Sequence, residues 1–271
     1  MEHLRKVVST LPKLPGNVKL WADAKGFEPA ITNLLDGLRP GAQLAPAFVM
    51  VDPFGVKDYP MSLLRRMLKS GRVELYISFM YEFIDRFKST PEFEKHVTEL
   101  YGTDEWKGGL DLTGEAKKEF FFGLYKRQLK DAGAKHVLRF DLYRGGRLVY
   151  ALFFATRHWR GSDVMKRAMW KVAPFGDFSF RGRGGSQLLL PGTEPDYTML
   201  RAAIQGKFKG IGWATIEMVK EFVASDETDF HTGQYKKAVL VPLECEGLLE
   251  VDPASRKKAR TYPDGTKLRF V

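Results

Sequence analysis

The chain has a single cysteine, Cys245, in 271 residues, which excludes an intrachain disulfide and any metal site built on several thiolates. That count fits a reducing compartment, and a cytoplasmic location is the expectation. No apolar run approaches the length of a membrane span, so a membrane is not an expected partner. The amino-terminal residues, MEHLRKVVSTLPKLPG, lack the apolar core of a signal peptide. No Gly-x-Gly loop follows a buried strand near the amino terminus, so the usual phosphate-cradling turn is not in evidence. Acidic residues are in deficit: 43 Lys and Arg stand against 33 Asp and Glu, for a net charge of +10.

That excess is concentrated in the middle of the chain. Residues 134–195 hold 11 Lys and Arg against 4 Asp and Glu, while the flanking thirds are close to balance. A solvated basic face is one reading of such clustering; a nucleic-acid partner is the other.

The stretch around which the rest is organised is AFVMVDPFGVKDYPMSLLRRML, residues 47–68. Its first five residues are unbroken apolar, as in a strand buried on both faces. Asp52, Pro53, Phe54 and Gly55 stop that strand in a turn, and a helix with Met61, Leu64 and Leu68 on one side follows Pro60. A carboxylate and an aromatic ring at the carboxyl end of a strand lie where open α/β sheets bind ligands, which makes Asp52 to Gly55 the candidate catalytic turn.

Strand and helix alternate on either side. Residues 17–22 read as a strand ending at Asp23, 27–38 as a helix and 73–79 as a further strand, which together argue for a parallel, doubly wound sheet. Residues 80–133 read as a largely helical insertion. Residues 136–142 and 148–155 then form a hairpin about Arg144-Gly145-Gly146. An α/β sheet that closes on an antiparallel hairpin resembles the S-adenosylmethionine-dependent methyltransferase fold.

Beyond the hairpin, TRHWRGSDVMKRAMWKVAPFG interleaves Arg157, Arg160, Lys166, Arg167 and Lys171 with Trp159 and Trp170. Cations beside aromatic rings suit phosphate contacts and base stacking. Val164, Met165, Ala168, Met169 and Trp170 also suit the buried stripe of a helix, so the arginines carry the functional reading. Phe178 to Leu190 reads as a basic loop running into a linker at Pro191-Gly192.

Residues 196–271 read as three helices followed by two strands, the winged-helix pattern. The third helix would offer His231, Gln234, Tyr235, Lys236 and Lys237, and the wing Arg256, Lys257, Lys258 and Arg260. Nucleic-acid contact and protein contact both fit this near-neutral region.

Several long blocks carry a family resemblance: VDPFG (51–55), ELYISFMYEFIDRF (74–87), LYGTDEW (100–106), YRGGRLVYALFFATRHWRG (143–161), VMKRAMWKV (164–172) and TYPDGTKLRF (261–270). The chain resembles the bacterial three-Cys-motif partner proteins, which are methyltransferase-like. The resemblance implies an incomplete Rossmann-like α/β sheet of the methyltransferase type over residues 1–190 and a winged-helix domain over 196–271. It implies S-adenosylmethionine as a cofactor, with Asp23 facing its adenine. Asp52 would accept a hydrogen bond from a target amine, the Pro53 carbonyl would orient that amine, and Phe54 would stack on a base. Implied partners are nucleic acid or a ribosomal component, and the three-Cys-motif protein itself.

The family's amino-terminal strand, its glycine-rich loop and the acidic strand end after it have no counterpart here, so half of the methyl-donor site is expected to be missing. A non-catalytic binding module is therefore the alternative function. Residues 1–38 are expected to be weakly anchored, with a continuous sheet formed by 47–51, 74–79, 136–142 and 148–155.

Overall fold

The computed structural model describes residues 2–10, 15–20, 22–53, 55–82, 84, 91–174, 179–180 and 195–271. The chain is mixed α/β. In order, it forms α1 (Glu2–Thr10), α2 (Phe27–Asp36), β1 (Ala47–Val51), α3 (Met61–Lys69), β2 (Val73–Phe79), α4 (Pro91–Tyr101) and α5 (Gly114–Asp131). There follow β3 (His136–Arg144), β4 (Arg147–Thr156), α6 (Trp159–Val172), β5 (Ser179–Phe180), α7 (Thr198–Phe208), β6 (Trp213–Thr215) and α8 (Ile216–Ala224). The chain closes with α9 (Val241–Cys245), β7 (Leu249–Val251) and β8 (Lys267–Phe270). No helix among the described residues is long and apolar enough to cross a membrane.

The first sheet has five strands in the order β1-β2-β4-β3-β5. β1 and β2 run parallel, with Ala47 opposite Val73, whereas β4 inserts antiparallel between β2 and β3. The β3–β4 hairpin turns at Gly145 and Gly146, both at positive φ, as the twist of a two-residue hairpin demands.

One face of this sheet, with Val51, Leu75, Ile77, Phe79, Val137 and Phe153, packs on α3, α4 and α5 to form one apolar core. Aromatic rings fill it: Phe79 lies 4.5 Å from Tyr125 and 5.6 Å from Phe153 between ring centroids. Leu138, Phe140 and Phe154 face the other way. They share a second core with Met169 and Trp170 of α6 and with Leu200, Ile204, Val219, Val239 and Leu268 of the carboxy-terminal region. Burial of apolar area from both regions in one core ties the carboxy-terminal elements to the sheet.

Those carboxy-terminal elements make a three-stranded antiparallel sheet, ordered β6-β8-β7, beside α7, α8 and α9. The approach to α9 is wider than an α-helix: Lys236–Leu240 forms π-type turns, with the Val241 N–H bonded to the Lys236 carbonyl. Pro242 explains this, since it has no N–H to donate and its ring would crowd the carbonyl four residues earlier.

Three expectations fail in whole or in part. Residues 17–20 and 22 join no strand, and among the described residues β1 pairs with β2 alone, which makes it an edge strand. Instead Val18 N–H closes a turn on the Pro15 carbonyl at 2.8 Å, and Val18 and Leu20 are exposed. β1 itself is not buried on both faces: Phe48 is 58% exposed and Met50 59%. An edge strand needs only one covered face, and the second core touches Phe48 only at its rim, through Phe154 and Tyr76. Within residues 1–38, α2 is anchored, because Phe27, Ile31 and Leu35 pack on the first core and Asp36 pairs with Arg66. The basic stretch at 181–190 and the linker at 191–192 lie outside the described residues.

Candidate nucleic-acid interface

The turn after β1 is fastened at two points. Gly55 N–H points at the Met80 Sδ, 3.4 Å away, and Tyr59 Oη donates to the Gly55 carbonyl at 3.2 Å. Gly55 sits at φ +107°, a conformation that a side chain would strain. Asp52 is exposed and Pro53 half-buried; Phe54 lies outside the described residues. Burial, and then the Asp52 carboxylate, push the Tyr76 phenol above its ordinary pKa.

Asp23 is not brought to this turn. It is exposed, with a carboxylate oxygen 3.6 Å from the ammonium of Lys25. Neither Asp23 nor the 52–55 turn lines the cleft at the amino-terminal ends of β1 and β2, the cleft at residues 254–263 or the cleft between α5 and β3.

Several of the basic residues expected at a nucleic-acid surface are occupied elsewhere. Lys166 is fully buried and cannot touch a ligand. Its ammonium donates to the carbonyls of Val223 (2.8 Å), Phe230 (3.0 Å) and Ser225, so it fastens α6 to the loop after α8. Arg167 is held by Asp163 at 2.9 Å and by Thr232 at 2.7 Å. Lys236 donates to the Tyr262 carbonyl, and Arg256 forks onto Glu244. Of the residues expected on the third helix, Tyr235 is buried, and His231 Nδ1 accepts from the Gly233 N–H at 3.0 Å. Lys171, Lys237, Lys257 and Lys258 remain exposed. The apolar stripe of α6 is narrower than its sequence suggests: Met169 and Trp170 are buried, but Val164 is 66% exposed and Ala168 is exposed.

Arg157 meets two further cations, Arg72 and Lys135, at the amino-terminal ends of β1 and β2. A cleft of about 770 Å³ there is lined by Phe48, Arg72, Glu74, Lys135, Arg157 and His158 among others. Arg72, Lys135 and Arg157 are exposed and have no carboxylate partner among the described residues; Arg157 reaches only the Leu68 carbonyl, at 3.4 Å. Glu74 is turned toward Thr156, whose hydroxyl donates to it at 3.0 Å.

The start of α6 closes the side of this cleft. His158 caps the helix by accepting the Arg160 N–H on Nδ1 at 3.1 Å. Gly161 permits the close approach: a Cβ there would stand 2.0 Å from Glu74 Oε1 and 2.7 Å from Thr156 Oγ1. At the first residue of α6, the Trp159 ring lies 5.3 Å from the Arg160 guanidinium and 5.4 Å from the Lys220 ammonium. Such cation–π contacts leave both charges unneutralised and able to meet phosphate.

Two further clefts differ in character. At the wing, Arg256, Lys257, Lys258 and Tyr262 line a cleft of about 680 Å³. Between α5, β3 and the loop after α8, a cleft of about 350 Å³ is lined by charges that pair within it. Lys126 stands 3.1 Å from Asp226, and Arg139 forks onto Glu119.

Phe48, Arg72, Lys135 and Lys220 escape a sequence reading because they come from separate elements and sit in no motif. The Arg157/Arg160 pair beside Trp159 was the one signal pointing to this place. Comparison with protein-family models, with curated proteins and with solved structures finds no match to this chain.

Proposed function

We propose that this chain is a methyltransferase-like α/β protein that binds nucleic acid, free or within a ribosomal component, through the cleft of Arg72, Lys135 and Arg157. The observation carrying this reading is the convergence of three exposed cations without carboxylate partners on one cleft. Elsewhere Lys166, Arg167, Lys236 and Arg256 have protein partners, so the overall +10 charge alone would point to no particular surface. Phosphate contacts of this kind position a nucleic acid without reading its sequence.

The architecture supports the methyltransferase-like part. A parallel β1–β2 pair followed by an antiparallel strand inserted before the last hairpin partner is the order expected at the carboxyl half of such a sheet. The carboxy-terminal order helix, strand, two helices, two strands, with β8 between β6 and β7, supports a winged helix. Neither Asp23 nor the 52–55 turn lines any of the three clefts, so the reading is of a binding module, with no methyl-transfer step assigned to these residues. A protein partner of the three-Cys-motif type is a second reading, favoured by the open edge of β1 with Phe48 and Met50 exposed.

The test is binding of a labelled RNA oligonucleotide to the wild type and to the triple variant Arg72→Ala, Lys135→Ala, Arg157→Ala. The reading expects at least tenfold weaker binding by the triple variant at unchanged melting temperature. Equal affinities would move the interface elsewhere.

A further inference from the structure

We propose that the basic cleft takes a single strand of nucleic acid rather than a duplex, with one base stacked on Phe48 and flanking phosphates on Arg72, Lys135 and Arg157. This inference rests on the nucleic-acid reading above and names the form of nucleic acid. Phe48 lines the same cleft as the three cations, and more than half of its surface is open to solvent. A large exposed phenyl ring beside unpaired cations offers both a stacking face and charge to the backbone.

The ring is also held in place. Its centroid lies 6.2 Å from that of Tyr76 and 6.4 Å from that of Phe154, with interplanar angles of 30° and 26°. Phe154 belongs to the second core, so Phe48 rests on a packed support while its other surface stays free. Met50, equally exposed, continues the apolar shelf along β1 toward Asp52. The five residues of β1 span about 17 Å, so a strand held at the basic end can extend over the shelf toward the turn. In a duplex the bases stack on one another and are closed to a flat side chain. Away from its ends a duplex offers no open base face, so an unpaired base is the partner Phe48 suits. The charge of the cleft lining, three cations against Glu74, favours a polyanion over an apolar protein segment on this shelf.

The experiment measures fluorescence anisotropy of an end-labelled 15-nucleotide strand, alone and annealed to its complement. The proteins compared are the wild type, Phe48→Ala, Phe48→Tyr and Arg157→Ala. The proposal expects the single strand to bind more tightly than the duplex. Phe48→Ala should weaken the single strand about tenfold, in line with the loss of one stacked base, while leaving duplex binding alone. Phe48→Tyr should keep wild-type affinity, and Phe48→Ala should melt like the wild type, because the side chain is exposed. Equal binding of strand and duplex, weakened by Arg157→Ala but not by Phe48→Ala, overturns the single-strand inference and leaves the nucleic-acid reading intact. Failure of the wild type to bind either oligonucleotide overturns both.

Discussion

The ammonium nitrogen of Lys166 lies 2.8 Å from the Val223 carbonyl oxygen, across the junction between α6 and the loop after α8. Phe230, Ser225 and Thr228 supply further oxygens to the same nitrogen. No carboxylate among the described residues is in direct contact with it; three carbonyls and the Thr228 hydroxyl hold a buried amine that joins α6 to the carboxy-terminal region. Lys166→Met would fill similar volume but strand these carbonyls. We expect a loss of about 3 kcal/mol in unfolding free energy, read by denaturant titration. A loss below about 0.5 kcal/mol would show that water satisfies the carbonyls instead.

The same lysine sets a pH dependence. Burial pushes its pKa down to about 7, against the raising influence of Asp229, Asp163 and Asp226. Between pH 7 and its ordinary value near 10.4 the unfolded chain binds the additional proton. This contribution therefore disfavours the fold below pH 7 and is relieved as pH rises through that window. Wild-type stability relative to Lys166→Met should increase from pH 7 to pH 9.5; a flat difference would contradict the assignment.

Asp226 acts in the opposite sense. Burial opposes its ionisation, but His136, Lys130 and Lys126 outweigh that and hold its carboxyl well below the usual range. Its contribution is present above pH 4 and is lost as the pH falls below the unfolded-state value. Asp226→Asn should cost about 2 kcal/mol at pH 7. The gap to wild type should narrow under acid, and an undiminished gap at pH 2.5 would refute this.

Gly161 is a steric requirement. With a Cβ at 2.0 Å from Glu74 Oε1, Gly161→Ala must displace either Glu74 or the first turn of α6. Overpacking of this kind costs about 1 to 3 kcal/mol. A melting temperature equal to wild type would show that Glu74 simply swings aside.

The sequence revealed the elements better than their surroundings. The 47–51 strand, the 73–79 strand, the hairpin and the helix after Pro60 all form, because apolar runs bounded by proline and glycine are local signals. The coverage of β1 was not legible. AFVMV looks the same in a central strand and in an edge strand, and only tertiary packing decides that Phe48 and Met50 stay open. Residues 17–20 and 22 find no pairing neighbour among the described residues, so propensity alone did not make a strand there. Lys166 and Arg157 belong to one basic segment, yet the first is buried and the second faces the cleft. Charge in a sequence has no direction until a helix fixes its faces.

The most direct test of the central claim is the slope of log K against log salt for oligonucleotide binding. Each phosphate neutralised on a single strand contributes about 0.7 to that slope. Removing Arg72, Lys135 and Arg157 together should lower its magnitude by about 2. Arg167→Ala, a side chain already held by Asp163 and Thr232, should leave the slope unchanged. An unaltered slope in the triple variant, or a reduced one in Arg167→Ala alone, would contradict the assignment of this cleft as the nucleic-acid interface.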